Sequence, residues 1–197
     1  MNERRFLASL ALLLTLLLGA CGPKAEETPP LAGASLGGPF TLTDQDGKQV
    51  SDTDFDGRYR LVYFGFTYCP DVCPVDLQVI GQGFRQLEKS DPAIAAKVQP
   101  IFISVDPERD TPPVVKEFVS AFHPRLVGLT GTPEQIAEVA KRYGIYYIKE
   151  QSEGASGYLV NHSRNTVLFG PKGEPIAIVP HDQGPETVAA ELKRWVK

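Results

Sequence analysis

Two cysteines four residues apart are the part of this sequence with the clearest chemical potential. Cys69 and Cys73 lie in the run Tyr68-Cys-Pro-Asp-Val-Cys-Pro74, directly after an apolar stretch typical of a β-strand. The chain has one other cysteine, Cys21, far away near the N-terminus. Two thiols at this spacing can form a disulfide, exchange disulfides with a partner, or bind a soft metal ion.

The spacing has one residue more than the Cys-x-x-Cys of common redox motifs. Each cysteine precedes a proline, and a residue before proline is disfavoured in the α-helical region. We therefore expect a loop that ends where a helix begins, with Pro74 as the first helical residue. A helix N-terminus favours the thiolate and lowers the pKa of a thiol.

The elements that must position this motif alternate along the chain. An Asp46-Gly47 turn signal predicts a β-hairpin. The spacing of apolar residues and the helix-start signals predict the rest. The predicted order begins with a strand at 60–67, a helix after Pro74 and a strand at 98–105. Two helices follow, after Thr111 and Thr132, with a short strand at 126–129 between them. A hairpin at 165–179 and a last helix through Trp195 complete the domain.

This order predicts an α/β, thioredoxin-like domain over residues 40–197, with a central mixed sheet flanked by helices and an N-terminal β-hairpin. That fold places its redox chemistry where the first parallel strand meets its helix, which is where Cys69 and Cys73 fall. We find no internal repeat, and no apolar helix face is left over, which favours a monomer.

The N-terminus predicts export. Arg4 and Arg5 precede a Leu-rich run, and residues 1–20 read as a signal peptide because the apolar core is too short to span a membrane. Leu18-Gly-Ala-Cys21 looks like a bacterial lipobox, in which Cys21 becomes the lipidated first residue. Residues 21–39, rich in Pro, Gly and Ala, are expected to be a flexible linker that holds the domain on the extracytoplasmic side of a membrane.

The net charge and the histidine content limit which partners and metal ions the sequence favours. The net charge is −4 and no basic stripe is present, which argues against nucleic acid. A closed structural zinc site needs four ligands, whereas copper accepts two or three soft ones. Of the three histidines, we expect His123 and His181 to be solvated loop side chains. The residues alone favour a satisfied loop histidine at His162 as well.

Four segments resemble the Sco/SenC family of copper-binding proteins from about residue 40 to the C-terminus. They are Tyr68-Cys-Pro-Asp-Val-Cys-Pro74, Ser104-Val-Asp-Pro-Glu-Arg-Asp-Thr-Pro112, Gly128-Leu-Thr-Gly131 and the stretch from Tyr158 to His162-Ser163. The resemblance implies copper bound by Cys69, Cys73 and His162. It also implies assistance to cytochrome c oxidase subunit II, by delivering copper to its dinuclear site or by reducing the cysteines of that site.

Two further residues are judged through the same resemblance. Asp106 is expected either to tune the site from outside the ligand set or to serve as a turn or helix-capping carboxylate. Asn161 departs from the family, whose members commonly carry Asp before the histidine. If that carboxylate orients the imidazole or offsets the charge of copper, its loss changes affinity or the preferred oxidation state.

Two functions of different classes therefore stay open, and so does whether the protein is an enzyme. One is a copper metallochaperone that uses Cys69, Cys73 and His162. The other is a thiol–disulfide oxidoreductase in which either Cys69 or Cys73 attacks a partner disulfide and the other resolves the mixed disulfide, with His162 dispensable. A peroxiredoxin-like peroxidase lacks its Pro-x-x-x-Thr-x-x-Cys setting. A purely structural disulfide gains little from so short a loop.

Overall fold

The computed structural model describes residues 27–151 and 157–197. Nine strands and five α-helices lie in these two ranges. The strands are β1 Thr41–Asp44, β2 Gln49–Ser51, β3 Tyr59–Gly65, β4 Val98–Ser104, β5 Val127–Thr130, β6 Tyr147–Gln151, β7 Tyr158–His162, β8 Thr166–Phe169 and β9 Pro175–Val179. The helices are α1 Val72–Ser90, α2 Pro92–Ala96, α3 Pro112–Ser120, α4 Pro133–Arg142 and α5 Pro185–Trp195.

Seven strands form one mixed sheet in the order β2-β1-β5-β4-β3-β8-β9. β3, β4 and β5 run parallel, with Gly65 opposite Ser104, while β8 runs antiparallel to β3. β3 and β4 are buried along their whole length, as expected for parallel strands covered on both faces. Among the described residues, β6 and β7 pair only with each other, in a separate antiparallel ribbon.

Helices cover both faces of the large sheet. Successive residues of a strand point to opposite sides, so neighbouring residues of β3 contact different helices. On one face, a Cβ on Gly65 would lie 3.1 Å from Cys73 Sγ of α1. On the other face, the ring of Phe64 packs against Tyr143, just after α4, with 5.6 Å between centroids. The predicted thioredoxin-like architecture is confirmed, as is the N-terminal hairpin, in which β1 pairs with β2.

Several local predictions are also confirmed. The hydroxyl of Thr132 accepts a hydrogen bond from the Gln135 amide and the Gln135 side chain accepts one from the Thr132 amide, which is the capping box expected at α4. Two elements were not predicted from sequence: α2, which is only five residues long, and the β6–β7 ribbon. β6 is mostly exposed and polar, so its sequence carries no apolar alternation.

The N-terminal predictions fall largely outside the described residues, which exclude 1–26 and therefore the signal peptide and Cys21. Residues 27–39 contact the domain: the Leu31 amide donates to the Ile176 carbonyl at 3.0 Å, and the Gly37 amide donates to the Arg142 carbonyl at 2.9 Å. Within residues 27–151 and 157–197, no helix has the length and apolarity needed to cross a bilayer.

Candidate metal centre

Three elements that are separate in the chain bring Cys69, Cys73 and His162 together. Cys69 lies in the loop after β3, Cys73 is the second residue of α1, and His162 is the last residue of β7. Their ligand atoms, the two Sγ atoms and one imidazole nitrogen, all lie within 4.8 Å of one another. Both cysteines are free thiols. The structure thus places the three predicted ligands at one point.

The helix begins earlier than predicted. α1 starts at Val72, so Cys73 is helical and Pro74 is the third helical residue. The expectation of a loop up to Pro74 was wrong because the first amides of a helix have no intrahelical partner, and proline there loses no hydrogen bond. Cys69 remains in the loop, and its Sγ accepts a hydrogen bond from the Cys73 amide at 3.4 Å.

Cys73 is completely buried against the sheet. Its Sγ occupies space that a side chain at position 65 would fill, since a Cβ on Gly65 would meet Cys73 Sγ at 3.1 Å and Tyr63 Cε1 at 3.0 Å. The absence of a side chain at Gly65 therefore lets the thiol lie against β3.

His162 presents one nitrogen to the cysteines and uses the other to fix its ring. Nε2 lies 3.2 Å from Cys73 Sγ, while Nδ1 lies 2.9 Å from the Ser163 carbonyl oxygen. A carbonyl only accepts, so Nδ1 carries the proton and Nε2 has the free lone pair. The ring also meets Phe66 edge-on at 5.8 Å and Tyr63 at 6.3 Å between centroids. The second nitrogen of His162 therefore faces the cysteines, where it is available to a metal ion.

The two thiols have opposite electrostatic environments. The Cys73 thiol donates to Cys69 Sγ, and this bond, with hydrogen bonds from the amides of Cys73 and Asp71, outweighs partial burial and lowers the pKa of Cys69 to about 4. The same hydrogen bond to Cys69, together with burial, raises the pKa of Cys73. At neutral pH the metal-free pair is thus one half-exposed thiolate beside one buried thiol.

The other two histidines are buried, so the prediction that both are solvated was wrong. His123 lies within 3.2 Å of Glu88 Oε2, and its Nδ1 accepts from the Arg125 amide. His181 Nδ1 lies 2.9 Å from Thr166 Oγ1, and its Nε2 lies 3.3 Å from Asp76 Oδ2. Flanking prolines favour exposed loops, but the loop at His123 and the short 3-10 helix that begins at His181 both turn the histidine inward. Neither histidine belongs to the cluster formed by the three predicted ligands.

Asp106 holds the ribbon that carries His162. It is fully buried, accepts from the Tyr158 hydroxyl at 2.6 Å and pairs with Arg109. Arg109 Nη1 in turn donates to the Tyr158 carbonyl at 2.9 Å, and its guanidinium stacks 3.8 Å from the centre of that ring. Asp106 also accepts the Asp110 amide through its own carbonyl, so it is a turn residue as well.

Asn161 is exposed and pairs with Ile148 across the ribbon. Because neighbouring residues of a strand point to opposite faces, its side chain points away from the face on which His162 meets the cysteines. The departure from the family at this position therefore lies outside the contact shell of the three sulfur and nitrogen atoms.

Sequence reasoning missed a carboxylate behind Cys73. Asp76 lies three residues further along α1, and its buried side chain accepts from the Tyr63 hydroxyl at 2.8 Å and from Arg164 Nη2 at 2.6 Å. Burial raises the pKa of Asp76, but hydrogen bonds from His181, Arg164 and Tyr63 outweigh it and the net pKa is lowered. The spacing from Cys73 to Asp76 was a readable signal, because such residues share a helix face. Arg164 gave none.

A second missed carboxylate fixes the loop before Cys69. Asp110 is fully buried and accepts from the Thr67 amide at 3.0 Å and from the Thr67 hydroxyl at 2.6 Å. Ser104 Oγ at the end of β4 also donates to it. Burial raises the pKa of Asp110, with these hydrogen bonds opposing the shift. Asp110 thereby joins the ends of two neighbouring parallel strands beneath the loop that carries Cys69.

The donor set suits a single soft ion. Ligands about 2.0–2.3 Å from one ion lie at most about 4.5 Å apart, which the 4.8 Å cluster meets after a small contraction. Two sulfurs and one imidazole are donors that copper accepts in either oxidation state. A closed zinc site would need a fourth protein ligand, and the cluster formed by the described residues has three members.

Comparison with known proteins agrees with this geometry. The SCO1/SenC family model matches residues 28–197. The chain is 44% identical over 147 residues to the mitochondrial SCO1 homolog 1 of Arabidopsis thaliana, covering 75% of this chain and 43% of that protein. It is 44% identical over 158 residues to SenC of Rhodobacter capsulatus, covering 80% of this chain and 69% of SenC. The chain spans about half the length of several such mitochondrial relatives.

A solved relative shares the fold. The structure of Bradyrhizobium japonicum ScoI with copper bound superposes with a TM-score of 0.73 at 42% identity, covering 81% of this chain and 99% of that one. The family model covers most of the chain, and Cys69, Cys73 and His162, the residues named from the resemblance, form one cluster. On this evidence the chain belongs to the SCO1/SenC family.

Proposed function

We propose that this protein is a copper metallochaperone that binds one copper ion through Cys69, Cys73 and His162 and passes it to a partner. The convergence of three donor atoms within 4.8 Å carries the proposal. The relative with copper bound supports the choice of metal. In this role copper is the cargo of the protein rather than a resident cofactor.

The exposure of the ligands suits transfer. Cys73 is fully buried, whereas Cys69 and His162 are partly exposed. A partner can therefore reach the ion from the side of Cys69 and His162 and replace these ligands one at a time, while Cys73 keeps hold until the last exchange. A closed four-ligand site would offer no such open side.

The test is copper loading of the reduced full-length protein, with Cys21→Ser as a common background so that only two thiols report. We expect one copper per chain and thiolate-to-Cu(II) charge-transfer absorption. The absorption should disappear in Cys69→Ser and Cys73→Ser and shift in His162→Ala, with Cu(II) affinity falling about 10- to 100-fold or more when a ligand is lost. Unchanged Cu(II) affinity in His162→Ala would contradict the three-ligand site.

A second candidate function is thiol–disulfide reduction, favoured by the low pKa of Cys69. The Cys69 thiolate would attack a partner disulfide and release one partner thiolate. Cys73 would then attack Cys69 in the mixed disulfide, releasing the second partner thiol and leaving Cys69–Cys73 oxidised. The two electrons come from the cysteine pair. Reduction of a disulfide peptide at the same rate by His162→Ala and by wild type would support this role.

We further propose, from the family resemblance, that the acceptor is the dinuclear copper site of cytochrome c oxidase subunit II. From the lipobox-like Leu18-Gly-Ala-Cys21, we propose that a lipid on Cys21 tethers the domain as a monomer on the extracytoplasmic side of a bacterial membrane. Copper transfer to the soluble domain of subunit II tests the first proposal. Release of Cys21→Ser from the membrane fraction tests the second.

A further inference from the structure

We infer that the Arg164–Asp76 ion pair is a clamp that sets the position of His162 relative to Cys73, and that it acts selectively on the oxidation state of copper that requires the imidazole. Arg164 and Asp76 are positioning residues, since neither belongs to the ligand cluster. The inference rests on the proposed function, in which Cys69, Cys73 and His162 bind copper.

The need for a clamp follows from the topology. Cys69 and Cys73 belong to one continuous segment, so their spacing is set locally. His162 is 89 residues away from Cys73 in sequence. It lies on the β6–β7 ribbon, which within the described ranges has no strand pairing with the seven-stranded sheet. A short link of three residues joins His162 to β8 of that sheet. Side-chain contacts that fasten the ribbon to the domain then set the separation between the imidazole and the sulfurs.

Two such contacts lie at opposite ends of β7. At its start, Arg109 donates to the Tyr158 carbonyl and pairs with Asp106. Just past its end, Arg164 donates to Asp76 through Nε at 3.0 Å and Nη2 at 2.6 Å. Arg164 follows His162 by two residues, so this second contact is the one that acts directly on the ligand.

The clamp joins the ligand strand to the ligand helix. Asp76 lies three residues after Cys73 on α1, and its side chain is only 3% exposed. It also accepts from the Tyr63 hydroxyl of β3 at 2.8 Å, and His181 Nε2 lies 3.3 Å from it. Tyr63 and His181 thus hold the carboxylate still, and a two-point guanidinium bond to a fixed carboxylate defines direction as well as distance.

The clamp should affect Cu(II) binding more than Cu(I) binding, because the ligand that it positions is the imidazole. Thiolates are the donors that favour Cu(I), and the cysteine pair can supply them without His162. Imidazole is the donor that Cu(II) gains from the ribbon. Loss of the clamp should therefore weaken Cu(II) binding and leave Cu(I) binding nearly unchanged.

The experiment is a double-mutant cycle of Arg164→Ala and His162→Ala on the full-length Cys21→Ser protein. Cu(I) and Cu(II) affinities are measured by competition with chromophoric chelators. We expect Arg164→Ala to lower Cu(II) affinity about 10-fold or more, the usual effect of losing a residue that orients a metal ligand. In the His162→Ala background, the same change should cost no more than about twofold, because Arg164 then has no ligand to position.

Three comparisons keep the result specific. Arg164→Lys keeps the charge but not the two-point geometry, so we expect an intermediate Cu(II) affinity. Arg194→Ala removes an ion-paired arginine of the same 48% side-chain exposure from the far end of α5 and should leave both affinities unchanged. Without metal, the NMR signal of the His162 Nδ1 proton should be sharp in wild type and broadened in Arg164→Ala.

The outcomes separate the inference from the proposed function. Equal losses of Cu(I) and Cu(II) affinity in Arg164→Ala, or an undiminished effect in the His162→Ala background, would overturn the clamp while leaving the copper site intact. Wild-type Cu(II) affinity in His162→Ala itself would overturn the three-ligand site, and the clamp with it.

Discussion

At the scale of single residues, the site divides its two sulfurs into a reactive one and a protected one. The hydrogen bond from Cys73 lowers the pKa of Cys69 to about 4. A lowered thiol pKa means that the thiolate persists as the pH falls through neutrality. In the proposed functions, Cys69 would therefore bind metal or attack a disulfide without a separate base, whereas Cys73 would have to give up its proton.

This division predicts the pH dependence of alkylation. The rate at which iodoacetamide modifies Cys69 should be half-maximal near pH 4. For an ordinary thiol, the rate would be half-maximal at about pH 8.5. Cys73 should react slowly at neutral pH because it is a buried thiol. Peptide mapping by mass spectrometry distinguishes the two sites. Cys73→Ala removes the hydrogen-bond donor and should raise the pH midpoint for modification of Cys69. A wild-type midpoint between about pH 8 and 9, the range of an unperturbed thiol, would refute the lowered pKa of Cys69.

The family departure at Asn161 gives a second prediction at this scale. Asn161→Asp should change Cu(II) affinity by no more than about threefold, because an exposed charge facing water acts weakly over several ångströms. The side chain is exposed and next to His162 on the opposite face of β7. Competition titration at two salt concentrations measures the effect, with His162→Ala as the positive control. A tenfold change would show that a carboxylate at this position reaches the metal.

At the scale of elements, the sequence predicted the features that depend on short stretches of chain. The Asp46-Gly47 hairpin and the Thr132–Gln135 capping box were found as expected, because each is decided by a few neighbouring residues. The β6–β7 ribbon was missed, since β6 is polar and exposed along nearly its whole length. The two cysteines were visible from spacing alone, but His162 joined them only through the family resemblance. Arg164 could not be found, because nothing in its neighbourhood encodes a partner on α1.

The packing of α1 against α5 gives the element-scale prediction. A Cβ on Gly83 would lie 2.6 Å from the Pro185 carbonyl oxygen and 2.6 Å from Val188 Cβ. Gly83→Ala should therefore push the two helices apart and lower the free energy of unfolding by about 1–3 kcal/mol. Urea denaturation measures the loss. Gln82→Ala, at the preceding, exposed position of α1, should stay within about 0.5 kcal/mol of wild type. Equal stability of the two variants would contradict the close packing.

At the scale of the whole molecule, the centre ties together parts of the fold that are distant in sequence. α1 supplies Cys73, the loop after β3 supplies Cys69, and the ribbon supplies His162. An ion bound to all three is a cross-link that only the folded chain can form. Binding of metal and stability of the fold are therefore linked.

This linkage depends on the redox state of the cysteines. At copper about 100-fold above its dissociation constant, the reduced protein should gain about 2.7 kcal/mol, which raises the melting temperature of a domain of this size by about 5–10 °C. After oxidation with diamide, the two sulfurs are joined in the Cys69–Cys73 disulfide and cannot act as thiolate ligands, so copper should no longer shift the melting temperature. Scanning calorimetry of both forms, with Cys69→Ser as a reduced control lacking one ligand, measures the difference. An equal shift in the oxidised protein would place the stabilising copper elsewhere. A shift confined to the reduced protein would mean that the oxidation state of one cysteine pair decides whether the molecule can hold its cargo.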